Sequence, residues 1–329
     1  MLVAWNTRGL NKAGKAREIG SRFLSLKPAL AVLIETRVKC TKADSIRTKL
    51  RLAGKYLDNY TNHANGRIWL NWNDSIIDVR LVKSSAQMIH CGLYDTNDIF
   101  LSWFTAIYAL NHLDQRRRLW LELEDIHNAQ QGPWCLMGDF NNVLKAADRI
   151  GGRMVHESEY SDFAYMMDRV GLSEMASLGD YYTWSNKQVD GVIYSRIDRV
   201  LGNVDWFQMN IDSTLTIMDP GISDHYLLCL TGLVHIPPQK SHFKFLNCVS
   251  TLPDFSDCVT QNWNAPLVGK PLSVLWNKLL RLQPVIQKHS KPLTGIHITL
   301  DKARESLRQA HSVLLLDKMN AHHIMPVKS

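Results

Sequence analysis

Trp134-Cys-Leu-Met-Gly-Asp-Phe-Asn141 is the stretch that decides how this chain reads. Four apolar residues run into Gly138, and Asp139 and Asn141 follow at the exit. A short apolar run closed by glycine reads as a buried strand. On extended backbone, residues i and i+2 share a face, so the strand offers a carboxylate and a carboxamide side by side at its open end. That pair suits a hydrated divalent cation and a phosphate oxygen, because hard cations take oxygen ligands. Taken alone, Gly, Asp and Asn are better read as a simple turn.

Three more segments repeat the pattern. Leu2-Val-Ala-Trp-Asn6 is an apolar strand ending in a carboxamide. Leu30-Ala-Val-Leu-Ile-Glu35 is one ending in a carboxylate. Ile222-Ser-Asp224-His225-Tyr-Leu-Leu sets an Asp–His pair at the start of another. Each has a bland explanation of its own: a turn at Asn6, a helix cap at Glu35, a satisfied core histidine at His225. Recurrence is what those explanations leave out.

The gathered groups suit phosphodiester hydrolysis. That reaction needs carboxylates to hold a cation that offsets developing charge. It needs a base near neutral pH, commonly histidine, and an acidic partner to orient it. Asp198, in Ser195-Arg-Ile-Asp198-Arg-Val-Leu, is a candidate partner. Asn6, Tyr108, Asn111 and Asn141 offer neutral donors for the phosphate.

Around these motifs, strands are expected at Leu2–Trp5, Leu30–Ile34, Arg67–Trp72, Ile76–Val82, Ile99–Tyr108, Trp134–Met137, Ile193–Leu201 and Tyr226–Leu233. Asn73–Asp74 reads as a hairpin turn. Helices are expected over Lys15–Leu26, stopped by Pro28, from an Asp114 N-cap to about Asn128, and from Ser158 to a C-terminal Gly171. Mixed helices and strands imply a layered α/β or α+β sandwich.

The pattern breaks at His235–Pro238, which sets a boundary between 1–235 and a tail, 236–329. The tail has 12 Lys and Arg against 5 Asp and Glu, whereas the first 235 residues balance. A basic tail suits a polyanion partner, or simply a solvated segment. Apolar residues at helical spacing over Leu272–Leu282 and Thr299–Asn320 predict helices in it. The six cysteines form no CxxC pair, and Cys91, Cys135 and Cys229 sit in apolar surroundings, as reduced buried thiols do. No signal peptide or membrane span is legible, so an intracellular, reducing compartment is expected.

Trp5-Asn6-x-Arg-Gly9, Glu35-Thr-Arg, Tyr108-x-x-Asn111, Gly138-Asp-Phe-Asn141, Tyr182-Thr-Trp-Ser185, Ser195-Arg-Ile-Asp198 and Ser223-Asp-His225, in this order, resemble the endonuclease/exonuclease/phosphatase superfamily. Ile34-Glu-Thr-Arg-Val-Lys39, Gly66-Arg-Ile-Trp69, Arg116-Arg-Arg-Leu-Trp120, Asp139-Phe-Asn-Asn-Val-Leu144, Arg149-Ile-Gly-Gly152 and Thr183-Trp-Ser-Asn186 resemble its plant LINE-type retrotransposon subgroup. The resemblance covers about residues 1–235 and implies a DNase I-like, four-layer sandwich of two packed, mostly antiparallel sheets flanked by helices.

It also implies roles. Glu35 would hold Mg²⁺ or Mn²⁺ with Asn6 and Asp224. His225 would pair with Asp198 as base or phosphate contact, and Asp139 would place the attacking water, with the base left open between His225 and Asp139. Tyr108 and Asn141 would bind the scissile phosphate, supported by Asn111. Thr183 and Ser223 match positions that contact DNA or shape the site. Arg116–Arg118 read first as a solvated helix face and second as phosphate contacts, and Trp184 as a loop residue near DNA. DNA is the implied partner, RNA a second one, with no membrane, and the nucleus the implied compartment. The chain carries no Tyr-x-Asp-Asp-like polymerase signature and so resembles a truncated element. Two other readings stand beside the nuclease: a silent nucleic-acid-binding remnant, and a phosphatase or RNA exonuclease of the same fold.

Overall fold

The computed structural model describes residues 1–233, 250, 254–267 and 271–289. The chain divides into two units, Met1–Pro238 and Gln239–Ser329. In the first, two mixed sheets lie face to face. One contains β1 (Leu2–Asn6), β2 (Leu30–Ile34), β3 (Lys55–Asp58), β4 (Ile68–Trp72), β11 (Ser177–Gly179), β15 (Thr214–Met218) and β16 (Leu227–Thr231), in the order β11-β15-β16-β1-β2-β4-β3. The other contains β5 (Ile77–Ser84), β6 (Met88–Asp95), β7 (Phe100–Tyr108), β8 (Trp134–Asp139), β10 (Leu172–Glu174) and β14 (Asp198–Asn203), in the order β10-β14-β8-β7-β6-β5. Most neighbours are antiparallel; β1–β2, β7–β8 and β11–β15 are parallel. A small third sheet joins β9 (Arg149–Ile150), β12 (Trp184–Ser185) and β13 (Tyr194–Ser195).

Alternation along the strands builds the layers. Leu2 and Ala4 of β1, Val32 of β2, Phe104 of β7 and Met137 of β8 fill the core between the sheets. Val3, Trp5 and Leu33 point outward against Ile19 and Phe23 of α1 (Ala13–Leu26) and Ile46 of α2 (Ala43–Leu50). Ile107 and Leu136 point outward against Trp120 of α3 (Leu113–Ala129) and Phe163 of α4 (Ser161–Val170). Strands covered on both faces are apolar throughout, which is why they read as continuous runs. A short α5 spans Val204–Met209.

Several expectations are corrected. Asn73–Asp74 is not a hairpin turn, because β4 and β5 belong to different sheets and the segment crosses between them. Ile193–Leu201 is two strands, broken where buried Arg196 turns aside to pair with Glu174. Asp114 lies in the first turn of α3, whose N-cap is His112. The Ser158 region begins with a 3₁₀ turn, Glu157–Glu159, before α4. Gly171 closes α4 at φ +66° and Lys27 closes α1 before Pro28. Cys91, Cys135 and Cys229 are buried free thiols.

In the second unit, α6 (Phe255–Asn264) and α7 (Pro271–His289) pair, with Arg281 donating to the Ala265 carbonyl at 3.1 Å. The Leu272–Leu282 expectation falls in α7. Thr299–Asn320 and the His235–Pro238 boundary lie outside the described residues.

Candidate active site

Strand polarity gathers the polar residues at one end of the sandwich. Asn6 ends β1, Glu35 follows β2, Tyr108 ends β7 and Asp139 ends β8. Asp198 begins β14 directly opposite Asp139, and His225 precedes β16. Six strand ends from two sheets thus converge, which explains the recurrence in the sequence.

The centre is a buried hydrogen-bonded array. His225 Nδ1 lies 2.9 Å from Asp198 Oδ2 and 3.9 Å from Asp139 Oδ2. Asp139 is held at both oxygens: Asn6 Nδ2 donates to Oδ2 at 2.8 Å, and the Asn141 amide donates to Oδ1 at 2.8 Å. Asn141 adopts φ +47° and its side chain donates to the Ala109 carbonyl at 2.6 Å. Burial would lower the His225 pKa, but the Asp198 and Asp139 carboxylates raise it to about 9. Burial raises Asp139 to about 7, helped by Asp198 and opposed by His225 and the two donors. Burial, together with the Glu35 and Asp139 carboxylates, pushes the Tyr108 phenol upward, so it stays a donor.

Glu35 and Asp224 stand apart from that array and meet on an arginine. Arg8 Nε lies 3.0 Å from Asp224 Oδ2, and Arg8 Nη1 lies 3.6 Å from Glu35 Oε2. Arg37 holds the other Glu35 oxygen. Asn6 Oδ1 accepts from the Arg8 amide at 3.0 Å. Trp184 Nε1 donates to Asp224 Oδ2 at 3.0 Å, while Asp224 Oδ1 is buried with no partner. Two carboxylates and a carboxamide, one carboxylate oxygen unsatisfied, make a hard-oxygen set that fits a divalent cation. A second set, Asp139, Asp198 and His225, has ligand atoms within 4.8 Å of one another. Carboxylate oxygens are engaged in both sets, by Arg8, Arg37 and Trp184 in the first and by Asn6, the Asn141 amide and His225 in the second, and Asp224 Oδ1 is the one left without a partner.

Three expected substrate contacts are instead occupied within the protein. Thr183 Oγ1 accepts from the Ile197 and Asp198 amides at 3.0 and 2.9 Å and is fully buried. Ser223 Oγ donates to the Asn6 carbonyl at 2.7 Å and accepts from the His225 amide. Both shape the site by fixing Asp198, Asn6 and His225. Arg116 is buried, not solvated: Nη1 donates to the Asn111 and Asn141 carbonyls at 3.0 and 2.6 Å, clamping the loops that carry those residues. Arg117 and Arg118 do form a solvated face, paired with Asp162 and Glu122. Asn111 is exposed at the rim. Its side chain, with Arg8, Asn141, Arg149, Trp184 and His225, lines a cleft of about 500 Å³.

Sequence reasoning missed Arg8, Arg67 and Arg149. Arg67 Nη1 donates to the Tyr108 hydroxyl at 3.4 Å. All three lie inside quoted motifs, but nothing in the motifs separates a site arginine from a surface one.

The sequence matches the endonuclease/exonuclease/phosphatase family over residues 3–225. The chain belongs to this family. Its fold is shared by solved structures of low identity. The endonuclease domain of TRAS1, a telomere-specific non-LTR retrotransposon, superposes with a TM-score of 0.55 at 13% identity, covering 71% of this chain and 98% of that one. A 3′ phosphatase, NExo from Neisseria, bound to a product DNA hairpin, gives 0.54 at 16%, covering 70% and 98%. The AP endonuclease LMAP from Leishmania major gives 0.52 at 15%, covering 69% and 85%. No curated protein sequence matches the chain. Family membership makes it a hydrolase of phosphoester chemistry. Among the described residues, no helix is long and apolar enough to cross a membrane.

Proposed function

We propose that this chain is a divalent-cation-dependent endonuclease that nicks DNA by hydrolysis and leaves a 3′-hydroxyl, as in plant LINE-type retrotransposons. The observation that carries this reading is the His225–Asp198–Asp139–Asn6 array, opening into a cleft lined by Arg8, Arg116, Arg149 and Arg153. An arginine-lined cleft suits a phosphate backbone.

Glu35, Asp224 and Asn6 would hold Mg²⁺ or Mn²⁺, which supplies charge neutralisation and polarises the phosphate. Asp198 fixes the His225 ring through Nδ1 and leaves Nε2 for the cleft. Asp139, held by two donors, places the attacking water, and the proton passes to the Asp139–His225 pair. Tyr108 and Asn141 donate to the scissile phosphate, and Asn111 contacts the backbone at the rim. Arg116, Thr183 and Ser223 position these groups. The implied workplace is the nucleus, where DNA is met.

Supercoiled plasmid incubated with Mg²⁺ or with EDTA tests the reading. Conversion to open circles only with the cation is expected, with ends that a DNA polymerase extends directly. The 3′ phosphatase among the similar structures favours a second reading, removal of a terminal phosphate by the same site. A 3′-phosphorylated hairpin, a single-stranded RNA and an inositol polyphosphate run alongside separate the two. No turnover on any of them, with salt-sensitive DNA binding retained, would leave a nucleic-acid-binding remnant.

A further inference from the structure

We propose that Arg67 is a positioning residue that acts through Tyr108, turning the tyrosine hydroxyl proton toward the substrate phosphate. This rests on the nuclease reading for the identity of the phosphate.

The Gly66-Arg-Ile-Trp69 motif has no part in the array described above. Its backbone is fixed: Asn59 Oδ1 accepts from the Arg67 amide at 2.9 Å and the Ile68 amide at 3.0 Å. Ile68 then pairs with Ile34, and the Arg67 carbonyl accepts from the Thr36 amide. The arginine therefore enters beside Glu35. Its Nη1 lies 3.4 Å from the Tyr108 hydroxyl, and its guanidinium carbon lies 5.5 Å from the ring centroid. Its Nε is buried without a partner.

Hydrogen-bond chemistry gives the contact a direction. Guanidinium has five donors and no acceptor. Arg67 therefore occupies an acceptor lone pair of the Tyr108 oxygen, and the phenol proton must point elsewhere. Tyr108 pairs with Asp139 in the β7–β8 ladder, and the carboxylates of Glu35 and Asp139 both act on its phenol, so the side left open by Arg67 is the side of the acidic groups. A donor oriented before substrate arrives stabilises charge without reorganising. The charge on Arg67 also polarises the O–H bond.

A double-mutant cycle tests this by single-turnover cleavage of a duplex oligonucleotide with saturating Mg²⁺. Tyr108→Phe and Arg67→Met should each lower the rate by roughly tenfold or more, with KM changed far less, and Arg67→Lys should recover part of the loss. In the Tyr108→Phe background, Arg67→Met should cost no more than about twofold. Full, independent losses in the double variant would overturn the proposal, as would an inert Arg67→Met. Carbon-13 NMR of tyrosine-labelled protein gives a readout that needs no turnover, with the Tyr108 Cζ resonance assigned by its loss in Tyr108→Phe. Arg67→Met, or Arg67→Lys if the first variant fails to fold by circular dichroism, should move that resonance. An unmoved resonance refutes the Arg67 contact even if the parent cuts no DNA, whereas a moved resonance in a chain that cuts nothing refutes only the nuclease reading.

Discussion

Asn6 donates to Asp139 at 2.8 Å across 133 positions of chain, joining the end of β1 in one sheet to the end of β8 in the other. The site is therefore a seam between sheets, and its geometry depends on how they pack. Asn6→Ala leaves a buried carboxylate oxygen without its donor. A loss of about 1–3 kcal/mol in unfolding free energy is expected by urea titration. Cleavage should fall by more than that loss of folded protein explains.

His225 predicts a pH dependence. Its pKa is raised from 6.5 to about 9 in the folded chain. The native state thus holds a proton that the unfolded chain releases, and the stabilisation is complete below pH 6.5 and lost as pH rises through about 9. Denaturation midpoints measured in EDTA should fall across that window. His225→Gln should be less stable throughout and decline less steeply there.

A buried ion network anchors the strand that carries Asp198. Arg199 Nη2 lies 2.5 Å from Asp148 Oδ2 and Arg199 Nη1 lies 2.6 Å from Glu174 Oε2, with the arginine wholly buried. Arg199→Met removes the charged partner of buried Asp148, while Glu174 keeps Arg196, and should cost about 3–5 kcal/mol. Burial would raise the Asp148 pKa, but Arg199 and hydrogen bonds from Tyr181 and Leu144 bring it below 3.8. The stabilisation it supplies is present above pH 3.8 and is lost as pH falls through the lower folded value. Asp148→Asn should flatten that acid limb, read by thermal melting.

Gly138 precedes Asp139 at φ +147°, and a Cβ there would sit 2.1 Å from the Ile107 carbonyl oxygen. Only glycine lets β8 approach β7 this closely. Gly138→Ala should destabilise by several kcal/mol, at the upper end for point substitutions. Protein that still folds should lose cleavage, because Asp139 is displaced with the strand.

The catalytic strand ends were legible because each apolar run stops at a polar residue, and the run and its end are adjacent in sequence. Partnership between runs was not. Asn73–Asp74 has turn chemistry, but nothing local says that the two flanking strands enter different sheets. Arg116 was misread from its charge, although Leu119, Trp120 and Leu123 at helical spacing place it on the buried face. Nothing beside Arg199 and Arg196 in the sequence announces their ion pairs, because their carboxylate partners lie 51 and 22 positions away. The Arg8 bridge between Glu35 and Asp224 joins three separate segments, so no single motif contains it.

Cleavage and binding measured together on Glu35→Gln, with Mg²⁺ and supercoiled plasmid, form the decisive experiment. Binding at the parent's level or better is expected, because a negative charge is removed, with nicking abolished. A Glu35→Gln protein that nicks at the parent's rate would contradict the assigned cation site and the mechanism built on it.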